Sequence, residues 1–423
     1  MIRQLSNIDE DVLKELFKRR TSIESVMGSV KLVADDVRSN GDAAVKKYTK
    51  QFDGVDIESL EVTEDEIYNA EELIDYETIG HLEAAIENIQ AFHALQLPST
   101  ETWLTEIYPG IRLGQKYTPL SRIGAYVPGG MGSYPSSALM LVIPARVAGV
   151  PEVIACTPPR KDGSIHPLTL TALDMAGADR IFKVGGVQAI SAMAYGTGTI
   201  PKVEKIVGPG NIYVTAAKMY VRDSVEIDMP AGPSEIVVIA DEGANPVFIA
   251  ADMIAQGEHD VNAMSILLTT SRLLADAVEN EIAVQTAKAA RKEIIEKASK
   301  GIYVVKDLES AAEVCNFIAP EHVEIMVRDP LSVLNRVKNA GTVYVGEYAP
   351  VAAGDYASGA NHVLPTGGYA KTFSGMNTMQ FIKTTSIQVI DREGLEGIKD
   401  TIIALANIEG FDAHARSVAK RFE

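Results

Sequence analysis

The sequence predicts an α/β protein with largely parallel sheet, arranged in two units, and three observations carry that prediction. The chain has 423 residues of which 46% are hydrophobic, more apolar material than the roughly 250–300 residues a single core organises. From about residue 105 onward, short β-prone runs alternate with helix-like runs, the pattern of strands joined by crossover helices. The first of these runs end in glycine or proline clusters, which is where a strand gives way to a loop.

Taken in order, residues 1 to about 105 read as helical and charged. Ile23, Val26, Val30, Val33 and Val37 recur at helical spacing, as do the apolar residues between Ile79 and Leu95. Past Trp103 the texture changes. Ile123–Val127 runs into Pro128-Gly129-Gly130, and Val153–Cys156 into Thr157-Pro158-Pro159. Arg180–Val184 runs into Gly185-Gly186, and Lys205–Val207 into Gly208-Pro209-Gly210. Ile236–Ala240, Ser265–Thr269, Ile302–Val305 and Thr342–Val345 continue the series, with a boundary between units near residues 228–245. From about Thr384 a tail runs to the C-terminus, too small to fold alone. The division expected is a helical segment 1–105 packing on the core, α/β domains 106–240 and 241–383, and the tail 384–423.

Composition excludes several classes. There are 57 acidic and 39 basic residues, a formal charge of −18, which disfavours nucleic acid and anionic membrane as partners. Cys156 and Cys315 are far apart and show no metal-finger spacing, so no disulfide framework is implied. The first twenty residues are too charged for a signal peptide. No apolar run reaches the roughly 18–20 residues of a membrane helix. A cytoplasmic, soluble protein is the expectation.

The usual GxGxxG fingerprint opening a helix is missing. Three glycine loops stand at strand ends instead: Gly129-Gly130-Met131-Gly132, Gly185-Gly186-Val187-Gln188 and Gly208-Pro209-Gly210-Asn211. Turn chemistry explains one such loop. Three on one α/β unit point to a ligand at the carboxyl edge of its sheet, where backbone amides approach phosphate or ribose.

Of seven histidines, His81, His93 and His166 sit where surface or packing roles suffice. The other four have distinctive company. Asn245-Pro246 caps a helix ending in Gln256-Gly257-Glu258-His259, which sets Gln256 and His259 three apart on one face. Such a pair can offer an oxygen and a nitrogen to a metal, although a polar helix end accounts for it as well. Ala319-Pro320-Glu321-His322 reads as a turn entering a strand, with an acid and an imidazole that can divide acid–base work. Adjacent Glu-His pairs also arise by chance. The stretch 354–368 is a glycine-punctuated loop holding Asp355, a possible metal ligand, and His362, a possible substrate contact. Glu409 and His414 lie in the tail.

With these stretches in view, the sequence resembles the histidinol dehydrogenase family along essentially its whole length. The motifs are YVPGG followed by YPSS (126–137), GGVQAI (185–190), AYGTGTIPKVEKIVGPGNIYV (194–214) and DMPAGPSE (228–235). AQGEHD (255–260), APEHVE (319–324), GDYASGANHVLPT (354–366) and EGFDAH (409–414) follow in the same order. The resemblance implies two incomplete Rossmann-like units of the aldehyde-dehydrogenase kind. It implies one zinc per subunit on Gln256, His259, Asp355 and His414, with His414 coming from the other subunit of a homodimer with shared active sites. It implies Glu321 and His322 as the acid–base pair. Substrate contacts would be Ser234, His322, Asp355 and Glu409 besides the metal ligands, with His362 nearby. NAD contacts would be Tyr126, Gln188 and Asn211, which fall on the three glycine loops.

The implied activity is oxidation of L-histidinol to L-histidine through histidinal, with two NAD, in histidine biosynthesis. Two oxygens and two nitrogens with no thiolate make a site that zinc or manganese fills. Two departures bear on the substrate. The family's Pro-Glu-Ser is Pro350-Val351-Ala352 here, so Val351 replaces a carboxylate, and Ser374-Gly375-Met376-Asn377 departs from Ser-Gly-Leu-Ser. The competing readings are a related zinc and NAD dehydrogenase for another small alcohol, a zinc hydrolase using Glu321 without NAD, and a non-catalytic metal-binding protein. The glycine loops disfavour the hydrolase, and the acid–base pair disfavours the last.

Overall fold

The structure is a computed structural model that describes residues 2–5, 9–17, 23–129, 132–230 and 232–423. Gly130, Met131 and Ala231, which belong to motifs quoted above, lie outside the described residues. The chain forms two compact units, one of Met1–Gln96 with Leu120–Phe381 and one of Leu97–Pro119 with Ile382–Glu423.

The strands are, in chain order, β1 (Ile2–Gln4), β2 (Thr102–Tyr108), β3 (Ile111–Pro119), β4 (Arg122–Tyr126) and β5 (Glu152–Thr157). There follow β6 (Arg180–Lys183), β7 (Lys205–Val207), β8 (Glu226–Ile227), β9 (Glu235–Ala240) and β10 (Met264–Thr269). The last are β11 (Ser299–Val304), β12 (His322–Met326), β13 (Thr342–Val345) and β14 (Ile382–Ile390).

The larger unit holds two parallel sheets, ordered β6-β5-β4-β7-β8 and β1-β11-β10-β9-β12-β13. Counted from β4 in one and from β9 in the other, both follow the order 3-2-1-4-5 of a doubly wound dinucleotide fold. Helices such as Pro135–Val147 and Pro246–Gly257 make the crossovers that parallel pairing requires. They bury the sheets, and β9 is buried at every residue.

The helical stripe read before β4 is present. The helix Glu24–Asn40 buries Val30, Val33, Ala34 and Val37 and packs on the helices Gly186–Tyr195 and Ile212–Val221. Each fully buried valine there contributes about 1.5–3 kcal/mol. The expectation of helix throughout residues 1 to 105 needs two amendments. β1 adds to the six-stranded sheet beside β11, and β2 begins at Thr102. A three-residue edge strand joins through its backbone, so no side-chain periodicity announces it.

The smaller unit explains the tail. β14 pairs antiparallel with β3 from Ile382 to Ile390, and β3 pairs with β2. The C-terminal segment, too short for a core of its own, therefore folds with residues 97–119. The helices Arg392–Ile408 and Asp412–Ala419 complete this unit.

Candidate active site

Glu321 and His322, the expected acid–base pair, are placed by a strained turn. The helix Leu308–Ile318 ends at Ala319, whose φ of 49° is left-handed and is the only positive φ outside glycine among the described residues. That conformation costs an alanine roughly 1–2 kcal/mol. It drops Pro320 and Glu321 onto the first residue of β12, His322. Both side chains are buried, Glu321 at 7% and His322 at 3% exposure. Glu321 Oε2 accepts the Glu235 N–H at 3.0 Å, and the Ser234 side chain bonds the same carboxyl. His322 Nδ1 lies 3.6 Å from Glu321 Oε2, and its Nε2 lies 4.0 Å from Asp355 Oδ1.

Burial dominates the electrostatics. It raises Glu321 well above the ordinary carboxylate range, with Glu235 and Asp355 adding to the rise. It pushes Asp355 up to about 7. It lowers His322 to about 3, helped by neighbouring His259 and His362. His322 is therefore a neutral imidazole, and a hydrogen bond with the Glu235 backbone opposes the shift without cancelling it. Burial keeps the ring neutral, and the carboxyls at 3.6 and 4.0 Å are the groups placed to steady it when it takes up a proton.

Gln256 lies in the last turn of the expected helix, whereas His259 lies beyond its cap Glu258 and so does not share a helix face with it. Asn245 caps the helix Pro246–Gly257 by accepting from the Val247 N–H at 3.0 Å, with Pro246 in the first turn. At the other end Gln256 is 2% exposed, and its side-chain nitrogen is buried without a partner among the described residues. His259 follows the helix end.

Asp355 does not lie in a loop, as its glycine-rich surroundings implied. It belongs to the short helix Val351–Tyr356. Pro350 precedes that helix, and Glu324 Oε1 accepts the N–H of Val351 at 3.0 Å, which starts a turn that Gly354 alone would not specify. His362 comes from the following loop. Its Nδ1 bonds the Asp355 carbonyl at 2.9 Å and its Nε2 meets Ser137 Oγ at 3.4 Å.

A cavity of about 930 Å³ runs beside these residues, lined among others by Gly210, Asn211, Ser234, Glu235, His259 and Met264. Asn211 follows β7, whereas Glu235 and Met264 begin β9 and β10. The carboxyl edge of the first sheet thus faces the amino edge of the second. Of the residues expected at NAD, Asn211 lines this cavity and caps the helix Ile212–Val221. Tyr126 and Gln188 are buried: Tyr126 Oη accepts the Gly186 N–H at 3.1 Å, and Gln188 Nε2 donates to Asp53 Oδ2 at 3.4 Å.

Glu409 and His414 belong to the smaller unit, on either side of Gly410, and both are exposed. Among the described residues no three His, Cys, Asp or Glu side chains gather as a metal site. The expected ligand set accounts for this. Within the larger unit it holds one histidine, one aspartate and an amide, and its second histidine lies in the other unit. The side-chain nitrogen of Gln256, buried with no partner among the described residues, is a polar group built for something further.

Some site residues were not singled out from the sequence. Glu324 lies two residues beyond His322 and so on the same face of β12, and Asp252 lies four before Gln256 on the same helix face. The two carboxyls share a hydrogen bond and burial raises both. Thr366 Oγ1 accepts the Gly232 N–H, tying the loop after His362 to the one carrying Ser234. Period-2 and period-3.6 reading outward from His322 and Gln256 would have found the acid pair. Nothing local marks Thr366.

Residues 16–422 match the family described as histidinol dehydrogenase. The chain belongs to the histidinol dehydrogenase family. It is 54% identical over 424 residues to the histidinol dehydrogenase of Methanosarcina mazei, spanning 100% of this chain and 98% of that one. The Archaeoglobus fulgidus histidinol dehydrogenase is 48% identical over 414 residues, spanning 98% and 99%. The crystal structure of histidinol dehydrogenase from Elizabethkingia anophelis superposes with a TM-score of 0.95 at 38% identity, covering 100% of this chain and 97% of that one. As a member of this family, the chain is an oxidoreductase.

Proposed function

We propose that the chain oxidises L-histidinol to L-histidine through histidinal, a four-electron reaction using two NAD and one zinc per subunit, in histidine biosynthesis. One observation carries this reading: the buried, neutral His322, set 3.6 Å from the Glu321 carboxyl and 4.0 Å from that of Asp355.

Gln256, His259 and Asp355, with the partner subunit's His414, would hold zinc, which supplies a template for an amino alcohol bearing an imidazole. Tyr126, Gln188 and Asn211 would hold NAD, which supplies the electron acceptor. The protein's own residues do the rest. His322 takes the hydroxyl proton as the alcohol is oxidised. Glu321, whose burial makes it a strong base once ionised, activates water to give the hydrated aldehyde. His322 then takes the proton of the second oxidation. Ser234 and Glu235 hold the Glu321 carboxyl in place throughout. Keeping the aldehyde bound avoids release of a reactive intermediate.

The expected ligand set suits a homodimer with shared active sites, in which the partner subunit's His414 completes the set, since His414 is outside the unit that holds the other ligands. The smaller unit supports it. β2 is exposed along its whole length, and Trp103, Leu104, Ile107, Ile408 and Phe411 are large exposed apolar residues of this unit, which suits a surface covered by a second copy. In this reading the cofactor half is the expected 106–240 domain less its two ends, since 106–119 fold with the smaller unit and 235–240 form β9 of the second sheet, which carries the catalytic half. No described helix is long and apolar enough to cross a membrane, in keeping with a cytoplasmic enzyme.

Val351 favours a second reading, a relative acting on another small alcohol. It stands where the family pattern has a glutamate, and it is buried in the apolar cluster that includes Ile249, Met253 and Tyr344. NADH formation with L-histidinol, before and after chelation, separates the two. Two NADH per substrate, lost on chelation and restored by zinc, are expected. Turnover of a different alcohol alone selects the relative, and no NAD reduction with any alcohol refutes both.

A further inference from the structure

A buried ion pair outside the site described above grips one of the glycine loops. Lys218 and Asp228 are in contact, with side chains 3% and 0% exposed. Lys218 lies on the helix that Asn211 caps, and Asp228 follows β8. Asp228 Oδ2 accepts the Gly208 N–H at 2.7 Å, and Lys218 Nζ donates to the Gly208 carbonyl at 2.9 Å. Both polar groups of one glycine are thus held by the two halves of one ion pair. Lys218 also donates to the Met229 carbonyl at 3.3 Å.

Gly208 is a position that needs holding. Its φ is +123°, and a Cβ there would lie 2.1 Å from the Tyr126 carbonyl oxygen. The chain therefore passes directly against the end of β4 before turning through Pro209 and Gly210 to Asn211. A glycine in this region loses much backbone freedom on ordering, and two charge-assisted hydrogen bonds are the kind strong enough to fix it. The stretch beyond Met229 leads to Gly232, Pro233 and Ser234, which line the same cavity as Gly210 and Asn211.

We propose that Lys218 and Asp228 are positioning residues for the dinucleotide, fixing the Gly208 turn so that Asn211 is presented to it. The inference rests on the reading of the 208–211 loop as a cofactor contact. The hydrogen bonds of the pair go to Gly208 and Met229 and not to Glu321, His322 or the expected metal ligands, so its effect falls first on cofactor affinity.

The test is the neutral double variant Lys218→Met with Asp228→Asn, which leaves no unpaired buried charge and so avoids the main penalty of breaking such a pair. The NAD dissociation constant is measured by calorimetry on the zinc-loaded dimer, beside steady-state kinetics and zinc content. Expected are a dissociation constant and a KM for NAD raised about tenfold or more, with kcat at saturating NAD and zinc content within about twofold of wild type. Unchanged NAD affinity overturns the proposal. So does a fall of kcat and thermal stability with both KM values raised alike, which marks a merely structural role. Should the double variant not fold, the isosteric Asp228→Asn alone is expected to raise the NAD dissociation constant several-fold, and wild-type affinity there overturns the proposal equally. Asn211→Ala separates the two layers. If it leaves NAD affinity untouched, the loop reading fails and the inference with it. If it weakens NAD binding while the ion-pair variants do not, the inference alone fails.

Discussion

Gly341→Ala tests whether the start of β13 sets the position of the acid–base pair. The Gly341 N–H donates to the Pro320 carbonyl at 3.0 Å, and the next residue's N–H donates to the Glu321 carbonyl at 3.0 Å. A Cβ on Gly341 would stand 2.5 Å from the Glu321 carbonyl oxygen and 3.0 Å from Leu364 Cβ. Carbon–oxygen contacts settle at about 3.3 Å or more, so the peptide of Glu321 must retreat by roughly 0.8 Å. Neither neighbour is the free end of a flexible side chain, so the strain falls on backbone and packed core. Overpacking of this kind costs about 1–3 kcal/mol of stability. A displacement near 1 Å at a reacting group costs up to about a hundredfold in rate. The expected outcome is a kcat about ten- to a hundredfold lower with L-histidinol, with NAD affinity unchanged because its loop lies on the other sheet. Initial rates of NADH formation and a urea titration measure the two effects. Loss of the expected stability with a wild-type kcat would refute the claim that this contact positions Glu321 and His322.

Four further outcomes are expected. His322→Ala should retain its zinc and lose about 10²–10⁴ of its turnover, and full activity would overturn the base assignment. His414→Ala should lower zinc occupancy, and unchanged zinc content by elemental analysis would remove it from the ligand set. Asn245→Ala deletes the cap of the helix carrying Gln256 and should cost about 1 kcal/mol; a loss below a few tenths in denaturant titration would contradict the cap. Asp53→Asn concerns pH. Burial raises Asp53 to about 6 when folded, above an unfolded value of about 3.9, so folding takes up a proton between these values and stability falls as pH rises through them. The variant should therefore be about 1–2 kcal/mol more stable than wild type near pH 8 and equal near pH 4. A gain that is the same at both pH values would rule out the charge as its cause.

How legible the site was depended on what each residue's placement required. The Gln256 helix was readable because Asn245 and Pro246 specify its start within two residues. The turn into β12 was readable because Pro320 cannot continue the preceding helix. Asp355 was read into a loop because its helix starts on a hydrogen bond from Val351 to Glu324, 27 residues away in sequence. The Lys218–Asp228 pair was invisible for a related reason. A lysine on a helix reads as surface, and only the fold shows that its ammonium is buried against a glycine carbonyl. The tail read as an orphan because its partner, β3, lies more than 260 residues earlier in the chain. Local rules reported local caps and turns; they could not report pairings made across the sheets.

The two sheets share one strand order and use opposite edges, and the residue types follow from that. At the carboxyl edge of the first sheet the loops after the strands are rich in glycine, which suits the proposed dinucleotide, since it needs backbone amides at close range. Gly208 is the sharpest case, with no room for a Cβ against the Tyr126 carbonyl. At the amino edge of the second sheet the chemistry needs side chains, so the strands begin with them: Glu235 opens β9 and His322 opens β12. These two strands are neighbours, with His322 in register with Ile236. That register brings the Glu235 N–H within 3.0 Å of the Glu321 carboxylate. A slip of one residue in either strand would turn His322 away from the site. The segment 228–234 joins the two edges, leaving the first sheet at Asp228 and entering the second at Glu235. A single stretch therefore carries the anchor of the Gly208 turn at one end and the support for the catalytic carboxyl at the other.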